Sequence, residues 1–201
     1  EYGYEGYFDG FAQKKYYLGY HADNRIRRES SSGGVCKTLI IDSLKNGMVD
    51  GAYSLKCTDS FPFAQGEFYT REHIPSFGDM PNSVYHSVMA CTEIDRIQPC
   101  KRLMLVGTAC QLRALNSIIK DKCDEVVRVC IFCKQQKTLD STRFLAKMMG
   151  TSVPPNLKFR PRYRGDGWPG IVRVDGFELP YLKILLMLIV ARECIDSLLV
   201  S

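Results

Sequence analysis

The chain has 201 residues, 45% of them hydrophobic, which is enough for one sizeable globular core. Its net charge of +5 is spread along the sequence, and no nucleic-acid-reading motif accompanies it. We therefore expect no nucleic acid partner, and a phosphate-bearing ligand would account for the charge equally well.

The nine cysteines are an odd number and are scattered through apolar segments, which disfavours a disulfide-stapled extracellular protein. No basic-then-apolar signal segment opens the chain. The apolar run Ile184–Ala191 is far shorter than the roughly 20 residues that a membrane helix needs. We expect a cytoplasmic protein without a transmembrane segment.

The first elements predicted are an edge strand over Lys14–Gly19, a polar loop RIRRESSSGG over Arg25–Gly34, and a helix from Gly34 to Asn46. The apolar face of that helix is formed by Val35, Leu39, Ile40 and Leu44. Small residues at a helix start leave backbone N–H groups pointing at an anion, and Arg27 and Arg28 add charge. The loop is a candidate phosphate site, although an ordinary surface turn has the same composition.

A strand is predicted over Met48–Leu55. The segment Lys56–Asn82 contains prolines and aromatic residues, which indicate an irregular or hairpin-like insertion. Ser83–Ile97 is expected to be helical and to lead into the next strand.

Residues 101–133 predict a strand over Leu103–Val106, a sharp turn at GTACQ, a helix over Gln111–Ile119 and a strand over Val126–Phe132. Such a unit is typical of a parallel sheet. The expected fold class is α/β: a mostly parallel sheet with helices on both faces and a smaller β-rich insertion.

Ligands bind beyond the carboxyl ends of parallel strands, where Cys110 and Cys133 are expected to share one edge. Cys130 and Cys133 form a CxxC pair, but Cys130 lies in an apolar run and is expected to face the core. Cys110 at a helix start is alternatively a nucleophile, although no histidine is tied to it by pattern. The other early cysteines show no paired spacing and are expected to be structural thiols: Cys36, Cys57, Cys91, Cys100 and Cys123.

Beyond Cys133, the pattern predicts an amphipathic helix over Leu139–Met149 and a C-terminal helix of about 20 residues. Strands are expected over Leu157–Tyr163 and Ile171–Leu179, on either side of the turn RGDGWPG. We expect a single domain over 1–201, with an insertion at 56–82 and a β-rich segment at 157–180. The absence of a polar tail suggests a piece of a longer chain.

The succession YLGYHADNRIRRESSSGG, VDGAYSL, NSVYHSV, LMLVGTACQLRAL, VCIFC and GW resembles the coenzyme F420 hydrogenase beta subunit family and its formate dehydrogenase relatives. The segments FCKQQKT and YRGDGWPG most resemble members encoded among bacterial polysaccharide biosynthesis genes. This resemblance implies a flavoprotein with FAD, or alternatively FMN, and a cysteine-bound [4Fe–4S] cluster. Such a protein passes electrons between a reduced carrier, coenzyme F420 or similar, and an acceptor or redox partner protein. The resemblance also allows an oligomer.

Carried onto this sequence, the resemblance implies that one set of residues lines the flavin: Ser31, Ser32, Gly33, Gly34, Ser83, Tyr85, Gly107, Thr108 and Gln111, with Arg28 beside the phosphates. Cys110, Cys133 and Cys194 match cluster ligands, whereas Ala191 stands at a position where the family has a cysteine. Either the chain is a fragment, or a fourth ligand such as Cys130 replaces it, or no cluster forms. No catalytic acid or base is assigned. The alternative function is a cofactor-less interaction or assembly subunit.

Overall fold

The computed structural model describes residues 15, 17–30, 32–60, 62–84, 86–119, 121–133, 138, 140, 160–162, 171–174 and 177–180. The helices and strands in these ranges are α1 (Asn24–Glu29), α2 (Val35–Lys45), β1 (Gly51–Cys57), β2 (Ala64–Thr70), β3 (Cys100–Thr108), α3 (Ala109–Ile119), β4 (Cys123–Ile131), β5 (Arg160–Arg162), β6 (Ile171–Val174) and β7 (Phe177–Pro180). A short 3-10 helix covers Ile94–Arg96.

The main sheet has four strands in the order β2-β1-β3-β4. β1 and β3 are parallel from Gly51↔Leu103, and β3 and β4 are parallel from Cys100↔Cys123 to Thr108↔Ile131. β2 pairs antiparallel with β1, so the segment Lys56–Asn82 supplies the second strand of a hairpin. The mostly parallel α/β fold expected from the sequence is confirmed.

Alternation along β3 divides the core into two clusters, because successive side chains point to opposite faces of a sheet. Met104 and Val106 pack with residues of α2, including Ile40 and Leu44. Leu103 and Leu105 pack on the other face with α3. The two helices therefore cover opposite faces of the sheet.

Helix α2 begins and ends where its flanking residues predict. Gly34 is its N-cap, and at the other end the Asn46 N–H donates to Asp42 O. Gly47 follows at φ 65°, a left-handed conformation that favours glycine after a helix. Ile40 and Leu44 of the expected face are buried, but Leu39 is exposed, Val35 is half-buried, and Ile41 is buried without having been expected.

The predicted helix over Ser83–Ile97 was wrong. In its described residues, the segment forms an isolated bridge at Gln65↔Met89, turns, and the 3-10 helix. Its backbone groups bond to the strands instead: Gly66 N–H donates to Met89 O at 2.9 Å, and the Tyr53 hydroxyl donates to Ala90 O at 2.8 Å. These tertiary contacts outweigh the local helical preference.

The predicted strand over Lys14–Gly19 was wrong in its described residues, since Lys15 and 17–19 belong to no strand. Tyr17 and Leu18 are exposed and have no sheet edge to pack against. A short helix, α1, was not predicted. It begins because the Asp23 carboxylate accepts hydrogen bonds from the N–H groups of Arg25 and Ile26.

A second, three-stranded sheet has the order β5-β6-β7 and is antiparallel throughout. β5 falls within the strand predicted over Leu157–Tyr163. The prediction of one strand over Ile171–Leu179 was wrong, because β6 and β7 are two antiparallel strands there. The predicted helices over Leu139–Met149 and at the C-terminus, and the run Ile184–Ala191, lie outside the described residues. No helix in the described part of the chain is long and apolar enough to cross a bilayer.

Candidate functional site

The loop before α2 is shaped by two glycines with left-handed backbones. Gly33 has φ 69° and Gly34 has φ 80°. A Cβ on Gly33 would lie 3.0 Å from Tyr20 Cβ, and one on Gly34 would lie 3.1 Å from Ser30 Oγ. The loop is also closed by a hydrogen bond from His21 N–H to Gly33 O at 2.7 Å. Only glycine fits both positions without strain.

This loop leaves the first turn of α2 without a side-chain cap, because the N-cap residue is Gly34. The N–H groups of a first helical turn have no partner within the helix, and together with the helix dipole they favour an anion. Arg28 is exposed at the end of α1 and has no ion-pair partner within the described part of the chain. Its neighbour Arg27 instead stacks 3.8 Å from the Tyr20 ring centroid.

α2 leads into the start of β1, so the beginning of α2 lies toward the edge at which β1 and β3 end. This is the carboxyl edge of the parallel strands, where ligands bind in open α/β sheets. The loop and the β3–α3 turn therefore face the same edge of the sheet.

At that turn, Thr108 and Gln111 are joined by hydrogen bonds, and Gly107 lies against the Gln111 side chain. Thr108 N–H donates to Gln111 Oε1 at 2.9 Å, and the Thr108 hydroxyl donates to the same oxygen at 3.1 Å. A Cβ on Gly107 would lie 3.1 Å from that oxygen. With Oε1 occupied, the Gln111 amide presents its NH₂ group as a donor.

A cavity of about 160 Å³ lies between α1, the start of α2, the β1–β2 loop and residues 77–86. Ser30, Lys37 and His86 are among its lining residues. Asn82 Nδ2 donates to Glu29 O at 2.9 Å, which ties the segment that carries Ser83 to the end of α1. The structure thus brings Ser83 toward the glycine loop.

Lys37 was missed by the sequence reasoning, and His86 was assigned no role by it. Lys37 Nζ donates to Phe77 O at 3.0 Å and to Met80 O at 2.6 Å, so it fixes the far wall of the cavity. His86 is fully buried, and its Nε2 lies 2.8 Å from Pro62 O. Because a carbonyl oxygen only accepts, Nε2 carries the hydrogen. The motif NSVYHSV contained His86, but nothing in its spacing indicated burial.

The predicted flavin-lining residues thus form two described groups. Arg28, Ser32, Gly33 and Gly34 lie at the end of α1 and in the loop before α2, and the segment of Ser83 is tied to the end of α1 through Asn82. Gly107, Thr108 and Gln111 lie at the β3–α3 turn. Ser31 and Tyr85 lie outside the described residues.

Cys110 and Cys133 each follow the last pair of the β3–β4 ladder, Thr108↔Ile131, by two residues. Both are exposed at the carboxyl edge, and Cys110 Sγ lies 3.2 Å from the Thr108 hydroxyl. Cys194 lies outside the described residues. The prediction that Cys130 faces the core was wrong: it is exposed, because β4 is an edge strand covered on part of its surface only.

An iron–sulfur cluster usually needs four thiolate ligands. Within the ranges that the structure describes, no three Cys, His, Asp or Glu side chains come together. The described donor set therefore does not make a cluster site.

Residues 16–73 match the family model described as coenzyme F420 hydrogenase/dehydrogenase, beta subunit N-terminus. Over this segment, the chain is similar to that family. The matched segment contains α1, the glycine loop, α2 and the β1–β2 hairpin. No curated protein matches the chain.

Among solved structures, the chain is similar in fold to a chain of the F420-reducing [NiFe] hydrogenase complex from Methanosarcina barkeri, studied by xenon derivatization. The TM-score is 0.60 at 16% sequence identity, over 82% of this chain. This chain spans 60% of the length of the hydrogenase chain. At this identity, the likeness concerns the fold.

Proposed function

We propose that the chain is a flavin-binding oxidoreductase subunit that passes electrons between a reduced carrier, coenzyme F420 or similar, and an acceptor. The observation that carries this proposal is the uncapped glycine loop of Gly33 and Gly34, which lies inside the family-matched segment and toward the carboxyl edge of the sheet. The similar fold of the F420-reducing hydrogenase chain supports it.

The phosphate end of the flavin would bind at this loop. The first-turn N–H groups of α2, the Ser32 hydroxyl and the Arg28 guanidinium supply donors and positive charge, which are what a phosphate requires. Both glycines keep the loop in a conformation that holds these donors together. The residues present therefore fit a phosphate-bearing cofactor.

The ring end would bind near the β3–α3 turn. Thr108 holds the Gln111 side chain through two hydrogen bonds, so the Gln111 NH₂ is oriented as a donor before a ligand arrives. A preorganised donor of this kind positions a polar ring edge at little entropic cost. Bound FAD would supply the hydride and electron chemistry, and the chain would supply position and electrostatics.

The test is anaerobic reconstitution of the purified chain with FAD, and in parallel with FMN, followed by gel filtration and absorbance spectroscopy. We expect co-eluting flavin with a band at about 450 nm that bleaches when a reduced carrier is added. Iron quantitation after reconstitution with iron and sulfide would decide separately on the cluster predicted at Cys110, Cys133 and Cys194. A chain that retains neither FAD nor FMN would overturn the proposal and favour the cofactor-less interaction subunit.

A further inference from the structure

Two half-buried cysteines face each other at the opposite edge of the sheet. Cys100 is the first residue of β3 and Cys123 is the first residue of β4, and the two are paired directly in the parallel ladder. Their Sγ atoms lie 3.0 Å apart. A disulfide bond is about 2.05 Å long, so the sulfurs are within about 1 Å of bonding distance.

The backbone around this pair already suits a disulfide. Neighbouring strands lie about 4.7–4.9 Å apart, within the Cα separation of about 4.4–6.8 Å that disulfides span. The ladder continues from Cys100↔Cys123 to the far ends of both strands, so it fixes the two cysteines against each other. Both also pack against the buried cluster that Leu103 and Leu105 form with α3. Neither is fully buried, which leaves them open to a small reagent.

Burial first, and then the hydrogen bond with Cys123, raise the pKa of Cys100 to about 12. Cys100 therefore keeps its proton at neutral pH, because a thiol titrates only near its pKa.

We propose that Cys100 and Cys123 are a thiol–disulfide exchange site that reacts reversibly with a low-molecular-weight disulfide such as glutathione disulfide. The thiolate of one cysteine attacks one sulfur of the reagent, the S–S bond of the reagent breaks, and one small thiol leaves. The other cysteine then loses its proton, attacks the sulfur of the first cysteine and releases the second small thiol. Two electrons pass from the protein dithiol to the reagent, and each reagent sulfur ends as a thiol.

This site is separate from the flavin edge. Cys100 and Cys123 begin the strands whose opposite ends lead to Thr108, Cys110 and Cys133. The exchange reaction needs neither the flavin nor a cluster, and its test remains valid if the chain binds no cofactor.

The sequence offers a direct assay, because trypsin separates the two cysteines onto short peptides, 97–101 (IQPCK) and 123–128 (CDEVVR). The purified full chain is reduced, equilibrated with graded ratios of oxidised to reduced glutathione, trapped with an alkylating agent, digested and analysed by mass spectrometry. We expect a linked pair of these peptides, two hydrogen atoms lighter than their sum. Its yield should rise with the oxidised fraction and return to zero with reductant.

Three controls separate a positioned pair from general oxidation. The variant Cys91→Ser, at an exposed turn cysteine, should retain the linked pair, whereas Cys100→Ser should leave Cys123 carrying glutathione. In denaturant, the linked yield at an intermediate ratio should fall at least about tenfold, because the fold no longer supplies a high effective concentration. The proposal is overturned if the native chain gives only alkylated or glutathione-capped peptides, or if the denatured chain links equally well.

Discussion

Gly34 combines two constraints that act on a single residue. Its φ of 80° disfavours any side chain, and a Cβ there would lie 3.1 Å from Ser30 Oγ and 3.3 Å from Ile26 Cγ2. Forcing a non-glycine residue into the left-handed region costs about 1–2 kcal/mol before any contact is counted. The conformation of the loop therefore depends on this residue.

The variant Gly34→Ala is expected to lower the free energy of unfolding by about 1–3 kcal/mol and to weaken FAD binding. Urea denaturation of the cofactor-free chain measures the first effect and flavin titration the second. Gly78→Ala is the matched control, since a Cβ there meets nothing nearer than Ser76 Oγ at 3.7 Å. Equal stability of the two variants would show that the loop does not require the left-handed conformation.

Tyr53 predicts a pH dependence of stability. It is buried at 1% exposure, and burial, more than nearby acidic groups, raises its pKa to about 12. The unfolded chain loses this proton near pH 10, whereas the folded chain retains it. The unfolded state is therefore favoured increasingly as pH rises from about 10 to about 12, and the stabilisation is fully present below pH 10.

Tyr53→Phe should reduce the fall in unfolding free energy between pH 10 and 11.5, measured by urea denaturation under reducing conditions. It should not abolish the fall, because burial also raises the pKa of Tyr69. Tyr17→Phe, at a side chain that is 86% exposed, should leave the slope unchanged. An identical slope in Tyr53→Phe and the parent chain would contradict the assignment.

At the scale of single elements, the apolar pattern predicted α2, β3, α3 and β4. The buried residues of α3 recur at the helical period, at Leu112, Leu115 and Ile119, and β3 contains a continuous buried run. The pattern failed over Ser83–Ile97, where the backbone bonds to β2 and to the Tyr53 hydroxyl. Those partners are distant in sequence, so no local pattern reports them.

The Cys100–Cys123 pair was also missed, although a signal was present. Each cysteine precedes the apolar run of its strand by three residues, at Leu103 and Val126, and these two residues are paired in the ladder. Aligning neighbouring strands by their apolar runs would have placed the thiols opposite each other. Spacing within one segment could not do so.

This pair predicts a change in stability with oxidation. A disulfide between β3 and β4 closes a loop that contains α3. Closing a loop of this size lowers the conformational entropy of the unfolded chain, which stabilises the folded state by about 3 kcal/mol. Guanidinium denaturation of the oxidised and reduced chains should show this difference at an unchanged far-UV spectrum. Cys100→Ser should show no gain under the same oxidant. A loss of stability on oxidation would mean that the disulfide distorts the strands.

At the scale of the whole molecule, the candidate site depends on topology. The glycine loop precedes β1, and the Thr108–Gln111 group follows β3, yet both lie toward the carboxyl edge because the strands are parallel and adjacent. The sequence predicted that edge from the strand–turn–helix–strand pattern. It could not predict the cavity beside the loop, whose walls come from four separate segments.

If both groups hold one flavin, its binding should stabilise the folded chain by mass action. FAD at about 100 times its dissociation constant adds about 2.7 kcal/mol. We therefore expect FAD to raise the thermal unfolding midpoint of the parent chain, and Arg28→Gln to reduce this shift by removing a phosphate contact. Thr108→Val should reduce it as well, because the Gln111 donor loses the hydroxyl that orients it.

The control for charge is Arg71→Gln, since Arg71 directly follows β2 at the other end of the sheet, where Gly51 pairs with Thr70. It removes the same charge as Arg28→Gln but should keep the full FAD-induced shift. Replacing FAD by riboflavin, which has no phosphate, separates the two groups: Arg28→Gln should then match the parent chain, while Thr108→Val remains impaired. If Arg71→Gln lowers the FAD-induced shift as much as Arg28→Gln does, the effect of Arg28 is one of net charge. A local phosphate contact would instead depend on where the guanidinium lies.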